Sequence, residues 1–224
     1  SKEITGNGSG SSSKPPSSSP PPPSSSPQPT VTGGACVVIE AESIQLAGAW
    51  RPGNDSNASG GSYIVWEGQK PGYTATSPQD AISTKVNIEK AGTYRMAMIV
   101  NQFEPPRGDL HNDTFFDFSD ADRWGPSTGG KYSGFTKVWG NSKNKFGWVM
   151  GQADVKHVKS KVSVDFNQPG TYSMELAGRS YGHRIDKIVL YHDSISHDAA
   201  ITGNCGGSTP APPAPPAPGP APAV

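Results

Sequence analysis

Val86-Asn87-Ile88-Glu89-Lys90-Ala91-Gly92-Thr93-Tyr94 is echoed by Val164-Asp165-Phe166-Asn167-Gln168-Pro169-Gly170-Thr171-Tyr172. In both stretches an alternating apolar run stops, a Gly-containing turn follows, and Thr-Tyr opens the next run. The echo predicts two antiparallel hairpins, and with them an all-β chain. Outward from it, short segments rich in Val, Ile, Phe and Tyr are punctuated by Gly, Pro, Asn and Asp. They predict strands over Cys36–Glu42, Ser62–Trp66, Ile82–Ile88, Thr93–Val100, Thr114–Phe118, Gly147–Gly151, Lys161–Phe166, Thr171–Gly178 and Arg184–Tyr191. No window of helical length carries a period near 3.6. The expected fold is a single-domain antiparallel β-sandwich, a jelly roll.

Proline divides the chain. Eight of the 23 prolines precede Val31 and eight follow Gly207. Residues 1–35 and 207–224 therefore read as Ser/Pro/Gly-rich and Pro/Ala-rich linkers, and 36–206 as the domain. The opening Ser1-Lys2-Glu3-Ile4-Thr5-Gly6 reads as a cut inside a longer protein. Linkers on both sides imply a module tethered to covalently linked neighbours. Lys+Arg and Asp+Glu are balanced at 19 each, so no charge excess points to nucleic acid or an anionic membrane. No apolar run reaches the length of a spanning helix. A monomer is expected.

The two cysteines, Cys36 and Cys205, bracket the domain. They are either a disulfide at the neck of the linkers or two unrelated buried thiols. The disulfide is favoured because both sit beside Gly-rich chain, and it implies a secreted, extracellular protein.

Two long connections are expected, Asn101–Asp113 and Ser119–Phe146, and long loops on a rigid sandwich commonly carry function. Sugars are bound by flat aromatic rings against C–H faces, with polar groups at the rim. Trp50-Arg51, Trp124, Tyr132, Trp139 and Trp148 all read as in or near loops. Trp66 reads as core, and at least two of the five tryptophans as structural. Trp124 and Trp139 are the leading candidates for sugar platforms, with Trp148 beside them. The polar candidates are His111, Asn112 and Asp113 on one loop and Arg179, Tyr181 and His183 on another. Each of these could equally be an ordinary turn or cap residue. His157, His192 and His197 read as surface residues. In a strand, Glu40 and Glu42 would share a face, as two solvated carboxylates or as ligands of a hard cation such as Ca²⁺.

Val38-Ile39-Glu40-Ala41-Glu42, then Asn57-Ala58-Ser59-Gly60-Gly61-Ser62-Tyr63-Ile64, then Ile185-Asp186-Lys187-Ile188-Val189-Leu190-Tyr191 occur in that order. Together they resemble the carbohydrate-binding modules of families 6 and 35 and their galactose-binding-like relatives, over Cys36 to Tyr191. His111-Asn112-Asp113-Thr114-Phe115-Phe116-Asp117-Phe118 resembles a subgroup found beside enzymes acting on algal polysaccharides such as agarose. The resemblance implies a non-catalytic module that targets a parent enzyme to a polysaccharide. It also implies a structural Ca²⁺ held by Glu40, Glu42 and Asp186, with carbonyls of the Ala58–Gly61 turn close by. Family members commonly carry Asn in the loop before the last strand. Here that loop reads Arg179-Ser180-Tyr181-Gly182-His183-Arg184, which suits a sulfated or acidic sugar, or galactose-type hydroxyls. The alternatives are a protein-binding adhesion sandwich, or a small glycosidase or lyase using Asp113 with Asp117, or Asp120 with Asp122.

Overall fold

The computed structural model describes residues 34–69, 74–102, 110–155 and 158–205. Nearly all of both expected linkers, most of the connection after Gln102, and His157 lie outside these residues. Among the described residues there are thirteen strands: β1 (Cys36–Glu40), β2 (Trp50–Asn54), β3 (Ser62–Trp66), β4 (Thr74–Ile88), β5 (Gly92–Gln102), β6 (Asp113–Asp117), β7 (Arg123–Pro126), β8 (Thr136–Trp139), β9 (Gly147–Met150), β10 (Gln152–Val155), β11 (Val158–Phe166), β12 (Gly170–Ser180) and β13 (His183–His192). One short helix, α1 (His197–Ile201), follows. Its N-terminus is capped by Ser196, whose hydroxyl accepts from the Ala199 N–H. No helix among the described residues is long and apolar enough to cross a membrane.

The strands form an antiparallel β-sandwich. One sheet centres on β13, which pairs with β1, β3 and β5; β2 extends it beyond β3, and β9 and β11 extend it beyond β5. The other runs β4-β12-β6-β8-β10. Strand β11 joins the two, pairing with β10 through its first half and with β5 through its second.

The repeated motif is not a pair of hairpins. Strand β4 pairs with β12 and β5 with β11, so each Gly-containing turn carries the chain from one sheet to the other. The two arches lie side by side: Ile88 is opposite Gly170 and Gly92 is opposite Phe166. The reason lies in where the alternating side chains go. Val86 and Ile88 before one turn, and Tyr94, Met96 and Met98 after it, are all buried in one core. Side by side in one sheet, the two strands would leave the opposite wall of that core to be supplied from elsewhere.

Trp50, Trp66, Trp124, Phe116, Phe118 and Phe166 are among the largest fully buried side chains. Each large apolar side chain stabilises by roughly 1.5–3 kcal/mol on burial. Trp50 lies opposite Trp66 across β2 and β3. Both indoles are held by Asp80: Trp50 Nε1 donates to its carbonyl and Trp66 Nε1 to its carboxylate, each at 2.8 Å. Asp80 has φ 50° and lies opposite the register shift between Leu176 and Gly178 of β12, an irregularity that re-aims a strand residue. The Cys36–Cys205 disulfide is present, with Cα atoms 5.5 Å apart. It is buried with Val189, Tyr191 and Ala200, against which Trp148 packs.

Candidate functional site

The first site is acidic. Strand β1 stops at Glu40, and Ala41–Ser43 form a 3₁₀ turn. Glu42 is therefore not on the strand, and the shared-face argument for the two glutamates does not hold. They meet because the turn folds one back beside the other. Asp186 is placed by a bulge: Ile185 pairs with Val100 and Lys187 with Ile99, leaving Asp186 as the extra residue. The bulge takes Asp186 out of the inward row of Ile188 and Leu190. Its Oδ2 accepts from the Ser59 N–H at 2.9 Å.

One ligand atom from each of Glu40, Glu42 and Asp186 lies within 4.8 Å of the others. Glu40 Oε2, Glu42 Oε2 and Asp186 Oδ1 are buried with no hydrogen-bond partner among the described residues. The cation beside them is Lys187, whose Nζ donates to Glu40 Oε1 at 2.9 Å and to the Ser59 hydroxyl at 2.7 Å. Burial pushes the Asp186 carboxyl up to about 6, and Glu40 and Glu42 add to the rise. Burial raises Glu42 as well. Three carboxylates against one ammonium leave two negative charges, and the donors are all oxygen. That set fits a hard divalent cation. The Ala58–Gly61 turn supplies an N–H and a hydroxyl here; a Cβ on Gly60 would lie 3.4 Å from Glu42 Oε1. Lys187 was not singled out from the sequence, although it follows Asp186 directly and lies opposite Glu40 in the β1–β13 register.

The second site lies where β6, β8 and β12 run together. Phe116, Val138 and Leu176 point into the core and are fully buried, so their neighbours in sequence point the other way. On that outer face Asp113 lies opposite Trp139. On its other side Arg179 Nη1 donates to Asp113 Oδ1 at 2.8 Å. The Ser180 hydroxyl also donates to Asp113 Oδ1. Asp113 is only 4% exposed; burial pushes its carboxyl up, opposed by Arg179 and Ser180. Trp139 and Arg179 are half-buried at the rim. Lys159 Nζ stands 5.5 Å from the Trp139 ring centroid.

The two polar loops of the sequence reading do converge here, but mostly as elements of the scaffold. His111 and Asn112 are buried. His111 Nδ1 is bonded to the Tyr181 carbonyl, and Asn112 Nδ2 donates to Asn141 Oδ1 at 2.7 Å. Arg179 belongs to β12, and His183 opens β13 after a turn of only two residues, Tyr181 and Gly182. His183, a sugar-binding candidate on the loop in the sequence, is instead buried: it is 1% exposed, with Nδ1 2.9 Å from the Thr114 hydroxyl. Burial, with His111 nearby, depresses its pKa to about 3, so the ring is neutral. Tyr181 is half-buried at the turn.

The tryptophan assignments also change. Trp124 is on β7 and 2% exposed, its ring centroid 5.1 Å from those of Phe118 and Tyr132. A ring so fully buried offers no open face, so it is not a loop platform. Trp148, on β9, packs beside the disulfide. Of the three, Trp139 keeps a ring at a polar rim. The expected 28-residue connection from Ser119 to Phe146 contains β7 and β8, each only four residues long and so too short to stand out by alternation.

No family model matches the chain, and no curated protein does. Solved structures similar to it include a GH26-CBM35 β-(1,4)-mannanase from Podospora anserina, at 14% identity and TM-score 0.43, covering 80% of this chain and 29% of that one. The match thus spans less than a third of the mannanase. The C-terminal CBM6 of LamC from Zobellia galactanivorans is similar at 15% identity and TM-score 0.40, over 70% of this chain and 98% of that one. The module CBM6cm-2 of Cellvibrio mixtus lichenase 5A, in complex with cellotriose, is similar at 14% identity and TM-score 0.39, over 71% and 97%. These are likenesses of fold.

Proposed function

We propose that this chain is a secreted, non-catalytic carbohydrate-binding module that targets a linked enzyme to a polysaccharide, an algal galactan such as agarose being the favoured target. The observation that carries the reading is the row Trp139–Asp113–Arg179 across three adjacent strands. It sets an aromatic ring beside a charged pair on one outward face. Such a row gives a sugar a C–H stacking surface with donors and acceptors next to it. Three of the four carboxylates weighed for hydrolysis are engaged elsewhere, and the fourth, Asp117, accepts from the Phe118 N–H through Oδ1 alone. Asp113 is tied to Arg179 and Ser180. Asp120 accepts from the Ser173 N–H, and Asp122 from the Asn167 N–H and side-chain amide. The disulfide suits an oxidising compartment. Ca²⁺ is proposed at Glu40, Glu42 and Asp186 as a structural ion, pinning the end of β1 to the start of β13.

Affinity electrophoresis in agarose, xylan, pectin and alginate gels tests the reading. Retardation is expected in at least one, and Trp139→Ala should abolish it. Release of reducing sugar by the isolated chain would sink the non-catalytic reading. Unretarded migration in every gel would point to a protein-binding sandwich.

A further inference from the structure

Strand β11 carries two lysines, Lys159 and Lys161, that the sequence does not single out. They alternate with Ser160 and Val162, which are buried, so both side chains stand on the outward face of the sheet. Both are exposed. This is the face that holds the Asp113 row. Asp113 is opposite Trp139, Trp139 opposite Gln152, and Gln152 opposite Lys161. With Arg179 on the other side of Asp113, the row crosses five strands and spans about 19 Å at ~4.8 Å per strand. Lys159 lies two residues from Lys161, and its Nζ stands over the Trp139 ring. The basic residues of this face do not all have the same duty. Arg179 bonds the buried Asp113, and Lys137 helps to hold its charge. Neither Lys159 nor Lys161 has an ion-pair partner among the described residues. Asp154 lies opposite Lys159 in register. Counted with Asp113 against the four basic residues, it still leaves positive charge in excess around Trp139.

We propose that the polysaccharide bound at this face is anionic, and that Lys159 and Lys161 select it by holding negative groups of the chain beside the sugar stacked on Trp139. The inference rests on the carbohydrate-binding reading and specifies the ligand of that same site. The position of Lys159 carries it. An ammonium over an indole is held there by the ring's negative face, and a sugar stacking on that side must displace it. A neutral sugar gives the ammonium no stronger partner in exchange. A sulfate or carboxylate at the ring's edge gives it a charge-assisted one, so one side chain both penalises neutral ligands and rewards anionic ones. Lys161 adds a second cation along the row, past Gln152, where the next part of an extended chain would lie. The two residues that the sequence offers to an acidic sugar do not serve. Arg179 is pinned on Asp113, and His183 is buried and neutral. Lysines are point charges on flexible stems without a planar fork, so the shared chemistry is a negative group on the sugar, as sulfate ester or as carboxylate.

The test is affinity electrophoresis of the full chain, with dissociation constants read from mobility against polymer concentration. Agarose, xylan and galactomannan are the neutral probes. Among the anionic ones, κ-carrageenan carries sulfate, and polygalacturonate and alginate carry carboxylate. The tightest binding is expected with an anionic probe, by about tenfold over the best neutral one, and it should weaken as NaCl rises from about 50 to about 500 mM. The sulfated and carboxylated arms tell which group is held. Lys159→Gln/Lys161→Gln should weaken binding of that probe by about tenfold and leave neutral probes no weaker. Trp139→Ala should abolish retardation, and Lys90→Gln, on the β4–β5 turn, should change nothing. A neutral probe bound tightest, or an anionic one bound as tightly by the lysine variant, overturns the proposal and leaves the carbohydrate-binding reading standing. Anionic binding that survives Trp139→Ala, or falls as far with Lys90→Gln, is plain charge attraction and overturns it as well. Unretarded migration with every probe overturns the carbohydrate-binding reading and the anionic ligand together.

Discussion

The backbone of Gly178 lies directly against the indole of Trp66: a Cβ added to this glycine would sit 2.1 Å from Trp66 Cε2. Trp66 is 1% exposed and bonded to Asp80, so the ring has nowhere to go. Gly178→Ala is expected to destabilise the domain by about 1–3 kcal/mol, the usual cost of overpacking a filled core. Urea denaturation of the variant beside the parent measures it. A change below ~0.5 kcal/mol would mean that the irregular stretch where β4 bulges against β12 can shift to make room.

Chelation should unmask the acidic cluster. A cation present at about a hundred times its Kd stabilises by roughly 2.7 kcal/mol, and a domain of this size moves about 2–4 °C per kcal/mol. EGTA is therefore expected to lower Tm by about 5–10 °C, with calcium restoring it. In Asp186→Asn the chelator should have little effect. A wild-type Tm indifferent to EGTA would refute the ion.

His183 predicts an acid-side loss of stability. Its folded pKa, about 3, lies below the 6.5 of the free side chain. The unfolded chain therefore takes up a proton below about pH 6.5 that the folded chain refuses until about 3. The stability this group contributes is complete above 6.5. It is lost as pH falls through that window, at up to about 1.4 kcal/mol per pH unit. Denaturation in EGTA at pH 7.5, 5.5 and 4.5 should show a slope that His183→Gln flattens. Equal slopes for the two proteins would mean that the buried imidazole is protonated in the fold.

The disulfide should carry tension past the domain. Cys36 and Cys205 are 169 positions apart in sequence but bonded to one another, and β1 lies against β13 beside them. Pulling on chain outside the two cysteines loads this bond and bypasses the strands. Single-molecule stretching of the oxidised protein should show no unfolding step. After reduction, a step releasing roughly 550–600 Å of contour is expected from an extended length of ~3.3–3.6 Å per residue. In bulk, Cys36→Ser/Cys205→Ser should lose up to about 5 kcal/mol by the chain-entropy relation.

Much was legible in the sequence because it was local. The alternation in β5, β11, β12 and β13 and the Gly turns act within a few residues, and they marked the strands. The cysteine pair was legible because only two candidates existed. Glu40, Glu42 and Asp186 were legible as a group through the resemblance, although the reason given for the glutamates, a common strand face, was wrong. What tertiary structure alone decided was partnership across the core. Alternation is the same in a hairpin and in an arch, so the turn at Glu89–Ala91 could not say that β4 would pair with β12 and not with β5. Nor can local sequence say whether a tryptophan beside a glycine stands open or is buried against Phe118 and Tyr132. The opening motif did mark a real repeat, made of two turns and four strands. The need of one core for two facing walls made it a pair of arches between sheets.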